Sequence, residues 1–402
     1  MSLNRFLWAS YGMYGLGGMT SVFFGAIMPE LLAHYHVNYT SAGLLILLQS
    51  IGFMIGVPIT VRCMSRTHYR VILSSSALAI VVAQTGILLL PNFVWVQCLV
   101  IVNGAGASAL ETAVASYIME MFVGRRAGMM SRLEVAFGLG ALVMPAVSSG
   151  FIAMNLWRLS SLLVAIFAFV LAMVWMTMTS ALPASSVGKH AEERSTPPPV
   201  FRGVASKYAV LSLFLLMILV YVGVEGSLNG FLPSIVTTYL KTRPGIAALS
   251  TSVFWIAMVV GRTAIGWIVR RVAYQIYLLG SVAAGIGCLL LFSQARSLVA
   301  AYATIFGLGL AMSAVYSVTM VYANHTFPGM ERFVTSAVTG FAGIGGAVCP
   351  AIVGYAMDHI LPGQVLWLIL AFVVTLFVVL AVIVGCISLV RHRRRAGTVN
   401  IV

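Results

Sequence analysis

Hydropathy along the chain comes in apolar runs of about 20 residues, the length a helix needs to cross a hydrocarbon core ~30 Å thick. Twelve such runs are predicted, near 6–33, 40–61, 71–90, 93–120, 128–152, 157–180, 207–238, 246–269, 274–294, 297–326, 333–358 and 364–390. They do not alternate polar with apolar residues as barrel strands must, which leaves α-helices as the spanning elements. The first run is much too long for a signal-peptide core and is read as a retained span. One long polar stretch, Ala181 to Ser206, holds Lys189, Glu192, Glu193, Arg194 and the run Pro197-Pro198-Pro199, the composition of a linker. The expected organisation is a six-helix bundle at 1–180, a linker at 181–206, a second six-helix bundle at 207–390 and a basic tail at 391–402.

Displacing the sequence by 205 residues brings the two bundles into register. Gly56 and Arg66 fall on Gly261 and Arg271. Gly138-x-Gly140-x-x-x-x-Pro145 falls on Gly343-x-Gly345-x-x-x-x-Pro350, and Phe122-x-Gly124 falls on Phe327-x-Gly329. Matches in three separate pairs of elements, at one offset and in one direction, make the halves parallel repeats. In that all-α membrane architecture a solute site lies between the halves near the membrane midplane, and the halves rock about it. The glycines would let helices approach closely, and the prolines would bend them.

Composition excludes a water-soluble fold, because 61% of the residues are hydrophobic and only 8% are charged. A net charge of +14 would point to nucleic acid in a soluble protein, but here position explains it. Of the 23 lysines and arginines, 18 fall on one side of the predicted spans, among them Arg5, Arg62, Arg66, Arg70, Arg125, Arg126, Arg132, Arg270, Arg271 and the cluster Arg391 to Arg395. That side is the cytoplasmic one, with both termini inside a bacterial-type inner membrane. The five cysteines form no C-x-x-C pair. Neither H-E-x-x-H nor G-x-S-x-G occurs. Gly104-x-Gly106-x-x-Ala109 matches a dinucleotide fingerprint but lies inside a span with no strand before it, so it counts as packing. No enzyme, cofactor, metal or nucleic-acid partner is implied.

Ionisable groups inside spans cost about 2.5–3.5 kcal/mol each on insertion scales and call for a reason. Glu111 stands mid-span on a stripe with Gly104, Ser108 and Ala115, facing a small, weakly polar helix face. There it is placed to bind and release a proton and to contact a solute. Glu225 and Asn229 are one turn apart and together could grip hydroxyl groups. Glu134, close to Arg132, Arg126 and Arg125, is expected to form a latching ion pair. Arg262, near a span end, is expected to serve the gate region. Arg66 and Arg271, at matched loop positions, belong to the same gating set. Gln49, Asn103, Trp255 and Tyr316 complete the binding candidates. Trp255 has two readings, as a stacking platform for a sugar ring or as an interfacial anchor.

At these residues the chain resembles a known group. Leu110-Glu111-Thr112-Ala113-Val114-Ala115-Ser116-Tyr117, the run Ser131 to Leu142, Phe231-Leu232-Pro233-Ser234-Ile235, Phe254-Trp255, Gly261-Arg262 and Gly266 look like the fucose–glucose branch of the major facilitator superfamily, and within it bacterial proton-coupled glucose/mannose symporters. The resemblance implies twelve spans in two parallel repeats and proton-coupled uptake of a hexose by a monomer. It also makes Glu111 the counterpart of a fourth-span glutamate implicated in sugar recognition. The fucose members carry a first-span aspartate four residues before a proline, where this chain has Gly25 before Pro29. Glucose-like members lack that aspartate too, which leaves Glu111 and Glu225 as proton-coupling candidates. A proton-driven exporter of drugs, siderophores or other metabolites is the alternative. The 21 methionines keep it open, because flexible apolar walls repack around varied cargo.

The topology is directly testable. A cysteine placed at Ser195 is expected to resist an impermeant maleimide added to intact cells and to react once the membrane is permeabilised. Strong labelling from outside would invert the topology.

Overall fold

The structure, a computed structural model, describes residues 3–122, 126–178 and 204–399. The linker proposed at 181–206 therefore lies almost wholly outside the described residues, as do Arg125 and the side chains of Arg126 and of the tail arginines from Arg391 to Arg395. Among the described residues the regular structure is all helix. The elements are α1 (Leu3–Tyr35), α2 (Tyr39–Met64), α3 (Tyr69–Leu88), α4 (Phe93–Met121), α5 (Arg126–Ala153), α6 (Leu159–Thr177), α7 (Val204–Leu240), α8 (Pro244–Ile268), α9 (Tyr274–Ser293), α10 (Leu298–Met312), α11 (Val315–Thr326), α12 (Glu331–His359) and α13 (Pro362–Val399). They make twelve membrane-crossing spans, α10 and α11 sharing Leu298–Thr326. Apolar side chains such as Val82, Ile166, Val299 and Val378 are exposed on the outer surface, as contact with lipid requires.

Helix starts follow local chemistry. Asn38 accepts from the Ser41 amide at 3.0 Å, Asn92 from the Trp95 amide at 3.2 Å, and Ser297 from the Ala300 amide at 3.2 Å, so α2, α4 and α10 each begin at a side-chain cap. Pro244 opens α8, where its missing N–H has no intrahelical acceptor to lose. The repeat extends to the turns. His36 and Lys241, 205 residues apart, both end their helices with left-handed backbone, at φ of 52° and 50°.

Inside each half the same packing recurs: α1 lies on α5 as α7 lies on α12, α2 on α4 as α8 on α10, and α3 on α6 as α9 on α13. Lipid tails are as apolar as leucine, so close van der Waals contact rather than water exclusion holds these helices together. Gly140 and Gly345 set the approach, since a Cβ on either would collide with the backbone carbonyl of Gly15 or of Leu219. Two seams join the bundles, α2 with α12 and α5 with α8, and α1 also packs on α7 and α8.

At the end away from the termini both seams are shut. The Asp358 carboxylate accepts from the Tyr39 and Thr40 amides, at 2.9 and 2.6 Å, and from the Thr40 hydroxyl at 2.6 Å, capping α2 from the other half. On the second seam, a Cβ at Gly245 would stand 3.1 Å from the Ser149 carbonyl. Toward the termini the seams stop, one at Met54 against Gly343 and the other at Glu134 with Arg262. One turn further, Gly340 and Gly266 meet only open space. Among the described residues the halves are in close contact at one end, and these contacts thin out toward the end that carries the termini.

The tenth span departs from the repeat. Where α4 runs unbroken, its counterpart is interrupted at Ser313 and Ala314. Two side chains from the same half take the carbonyls near the break: the Tyr221 hydroxyl donates to Met312 O at 2.9 Å, and Arg262 Nε donates to Ser313 O at 3.1 Å. The matched positions in the first half are Leu16 and Val57, which can make neither bond.

Gly140→Ala and Gly345→Ala are each expected to lower the melting temperature of the purified protein, because forcing a methyl into a filled contact costs about 1–3 kcal/mol. Gly280→Ala, which meets nothing within 4 Å, is expected to be neutral or mildly stabilising. Equal melting of all three would remove the packing argument.

Candidate functional site

Polar side chains from both halves converge at the boundary between them. Glu111 of α4 is seated by Gly17 of α1, its Oε1 lying 2.6 Å from where a Cβ would stand. The next residue, Gly18, is pressed onto the Phe137 backbone of α5. The Tyr14 hydroxyl reaches the Glu111 carbonyl at 3.4 Å. Among the described residues no cation forms an ion pair with Glu111.

Phe137 leads across the boundary. Its ring centroid is 5.6 Å from that of Trp255 on α8, at a tilt of 56°. The Trp255 indole N–H donates to Asn229 Oδ1 at 3.0 Å. An indole nitrogen can only donate, so the amide oxygen must face it, and the two Asn229 N–H donors turn the other way. Gln49 is fixed in the opposite sense: its Nε2 donates to the Thr20 carbonyl at 3.0 Å, leaving the amide oxygen as an acceptor.

Arg262 ties the site together. Besides Ser313 O, its guanidinium meets Glu134 Oε2 at 3.1 Å and lies 5.3 Å from the Trp255 ring centroid. Glu225 is near enough to feel its charge and lies beside Tyr221, one turn away on α7. Tyr316 of α11 lies beside Thr339 of α12. At the offset of 205 residues these two match Glu111 and Glu134, so one pair of positions carries hydroxyls in one half and carboxylates in the other.

Exposure sorts the binding candidates. Gln49, Glu111, Glu225, Asn229 and Tyr316 are each partly exposed, although all lie within spans. Asn103 and Trp255 are fully buried. Asn103 accepts from Gln84 Nε2 at 3.1 Å in the contact of α4 with α3, away from the boundary. Trp255 is enclosed by Phe137, Asn229 and Arg262, so it neither anchors at a lipid interface nor offers an open face for stacking. Glu134 pairs with Arg262 of the other half, not with Arg132; residues two apart on a helix point to different sides, and Arg132 is exposed. Arg66 and Arg271 lie outside the site, Arg271 stacking on Trp267 at 4.2 Å. Met13, Met28, Met217 and Met258 are fully buried in the packed core and do not line a flexible cavity.

Several participants escaped the sequence reading, namely Gly17, Tyr14, Phe137, Tyr221 and the Ser313 carbonyl. Phe137 and Tyr221 had a usable signal, lying three residues after Glu134 and four before Glu225 on the same helix faces. The Ser313 carbonyl had none, because the break that frees it depends on two distant side chains.

Twelve spans in two parallel repeats, with ionisable groups gathered at their shared boundary, define a membrane transporter. Residues 7–234 and 213–400 match the Major Facilitator Superfamily, and the chain belongs to that superfamily. It is 28% identical to the glucose/mannose transporter GlcP of Bacillus subtilis, over 87% of each chain. The solved nucleoside transporter NupG has the same fold, with a TM-score of 0.74 at 12% identity, covering 95% of this chain and 99% of that one. A bacterial homologue of the human lysosomal transporter Spinster, solved in an inward-facing and occupied conformation, aligns with a TM-score of 0.68 at 15% identity, over 96% of both chains.

With Glu134 about half exposed, its pair with Arg262 contributes under about 1 kcal/mol by itself. Losing Arg262 also strands the Ser313 carbonyl, a cost of about 1–3 kcal/mol. Purified Glu134→Gln is therefore expected to melt close to the unaltered protein and Arg262→Met clearly lower. Equal melting temperatures would assign the arginine to the ion pair alone.

Proposed function

We propose that the protein imports a hexose together with protons by alternating access between its two halves. The support is the set of partly exposed polar groups at the boundary between the halves, taken with the likeness to a glucose/mannose transporter over most of both chains. Sugar hydroxyls both donate and accept. Asn229 presents donors, while Gln49, Glu111 and Glu225 present acceptors, so a ring with several hydroxyls meets both kinds of partner. Trp255 acts indirectly, by fixing which way the Asn229 amide points.

The two carboxyls divide the work. Glu225 shares the field of Arg262 and is assigned to gripping the solute. Glu111 has no counter-ion among the described residues and is partly exposed within its span; it is assigned to carrying the proton. One proton crossing about 100 mV releases about 2.3 kcal/mol, enough for roughly fiftyfold accumulation of a neutral solute. With the basic, terminus-bearing side in the cytoplasm, the arrangement is inward-facing, with Asp358 holding the outer end shut.

Transport in reconstituted vesicles tests both assignments. The unaltered protein is expected to accumulate labelled glucose or mannose when the outside is acidified. Glu111→Gln keeps the side chain's size but cannot titrate, so it should lose accumulation while counterflow exchange of preloaded sugar continues. Normal accumulation by Glu111→Gln would remove it as the carrier. Failure of the unaltered protein to move any hexose would favour a different cargo.

A further inference from the structure

The outer face of the first half carries a feature unconnected with transport. The helices α2 and α3 pack on α4 rather than on each other, which leaves a cleft of about 440 Å³ between them. Its walls include Ile59 and Val71, and its floor includes Val102, Ala105 and Ala109. Ile59, Val71 and Val102 are exposed, so the cleft opens sideways into the hydrocarbon layer. It runs along roughly two helical turns and ends at Thr67, in the loop between α2 and α3. That loop is basic. Arg62, Arg66 and Arg70 adjoin in the chain Cys63, Thr67 and Val71 of the cleft lining, all three are exposed, and among the described residues their guanidinium groups meet no hydrogen-bond acceptor, carboxylate or aromatic ring. His68, at the start of α3, makes no side-chain cap, so the first amides of that helix face the same place.

We propose that this cleft binds one anionic phospholipid, an acyl chain between α2 and α3 and the phosphate on Arg62, Arg66 and Arg70. An apolar slot open to the bilayer, ending in a loop that carries three exposed cations, is complementary to that molecule at both ends. The second half supplies an internal contrast. Displaced by 205 residues, Arg62 becomes Trp267, Arg70 becomes Gln275, and Arg66 becomes Arg271, which is already engaged over the Trp267 ring. The repeat thus preserves the loop but not the triad, and the proposed site is confined to one half. The proposal needs only that the chain cross a membrane and is independent of the hexose assignment.

Native mass spectrometry of the full-length protein, offered equal phosphatidylglycerol and phosphatidylcholine, tests it. The unaltered protein should retain phosphatidylglycerol preferentially. Each of Arg62→Gln, Arg66→Gln and Arg70→Gln should cut that preference about fivefold, and the triple substitution should abolish it. Arg271→Gln should leave it intact. Ala109→Leu, which fills the floor, should reduce retention of both lipids, and glycerol phosphate, having no chain, should not displace the bound lipid. Equal retention of the two lipids, a preference surviving the triple substitution, or displacement by glycerol phosphate would overturn the proposal. The single substitutions keep the test decisive if the triple variant folds poorly.

Discussion

A guanidinium placed within a membrane span has to be neutralised and hydrogen-bonded, and Arg262 meets that requirement from both halves of the molecule at once. Its own half supplies the Ser313 carbonyl, the Trp255 ring and the field of Glu225; the other half supplies Glu134. Each partner is shaped in return. The tenth span breaks where Arg262 and Tyr221 claim its carbonyls, Trp255 is held between guanidinium and Asn229, and the amide of Asn229 is turned by the indole. Remove the charge and the neighbouring groups lose the reason for their positions.

The site is asymmetric although the scaffold is not. Helix starts, one left-handed turn and glycine contacts recur after 205 residues, because both halves solve the same problem of packing helices where lipid offers no hydrophobic drive. Chemistry enters where the repeat fails. Carboxylates at 111 and 134 face hydroxyls at 316 and 339, and Tyr221 and Arg262 have only Leu16 and Val57 as counterparts. The first half contributes charge without a cation beside Glu111, the second a cation shared among several partners.

That division explains what could be read from the sequence. Span number, span limits and the parallel repeat were legible because hydrocarbon thickness and backbone satisfaction act on every residue of a span, leaving runs and offsets that a single chain displays. The break at Ser313 was not, since no proline or glycine marks it and its cause lies on α7 and α8. Glu134 was legible as a member of an ion pair but not as the partner of Arg262, because contacts between halves leave no spacing in the chain. Asn103 looked like Gln49, a lone amide in a span, and only the position of Gln84 on the neighbouring helix separates a buried structural pair from a group facing the boundary.

The two ends of the boundary are fastened by different means, and the difference bears on how such a molecule can rock. At the closed end Asp358 accepts three hydrogen bonds from the first turn of α2, a carboxylate set against the positive end of a helix, while the second seam relies on the close fit at Gly245. At the other end, the link found among the described residues is a single ion pair with one half-exposed member. Opening the closed end must strip Asp358 of donors that water can replace only after the seam has parted. The two ends thus differ in what holds them: three hydrogen bonds to Asp358 at one, and an ion pair with a half-exposed member at the other.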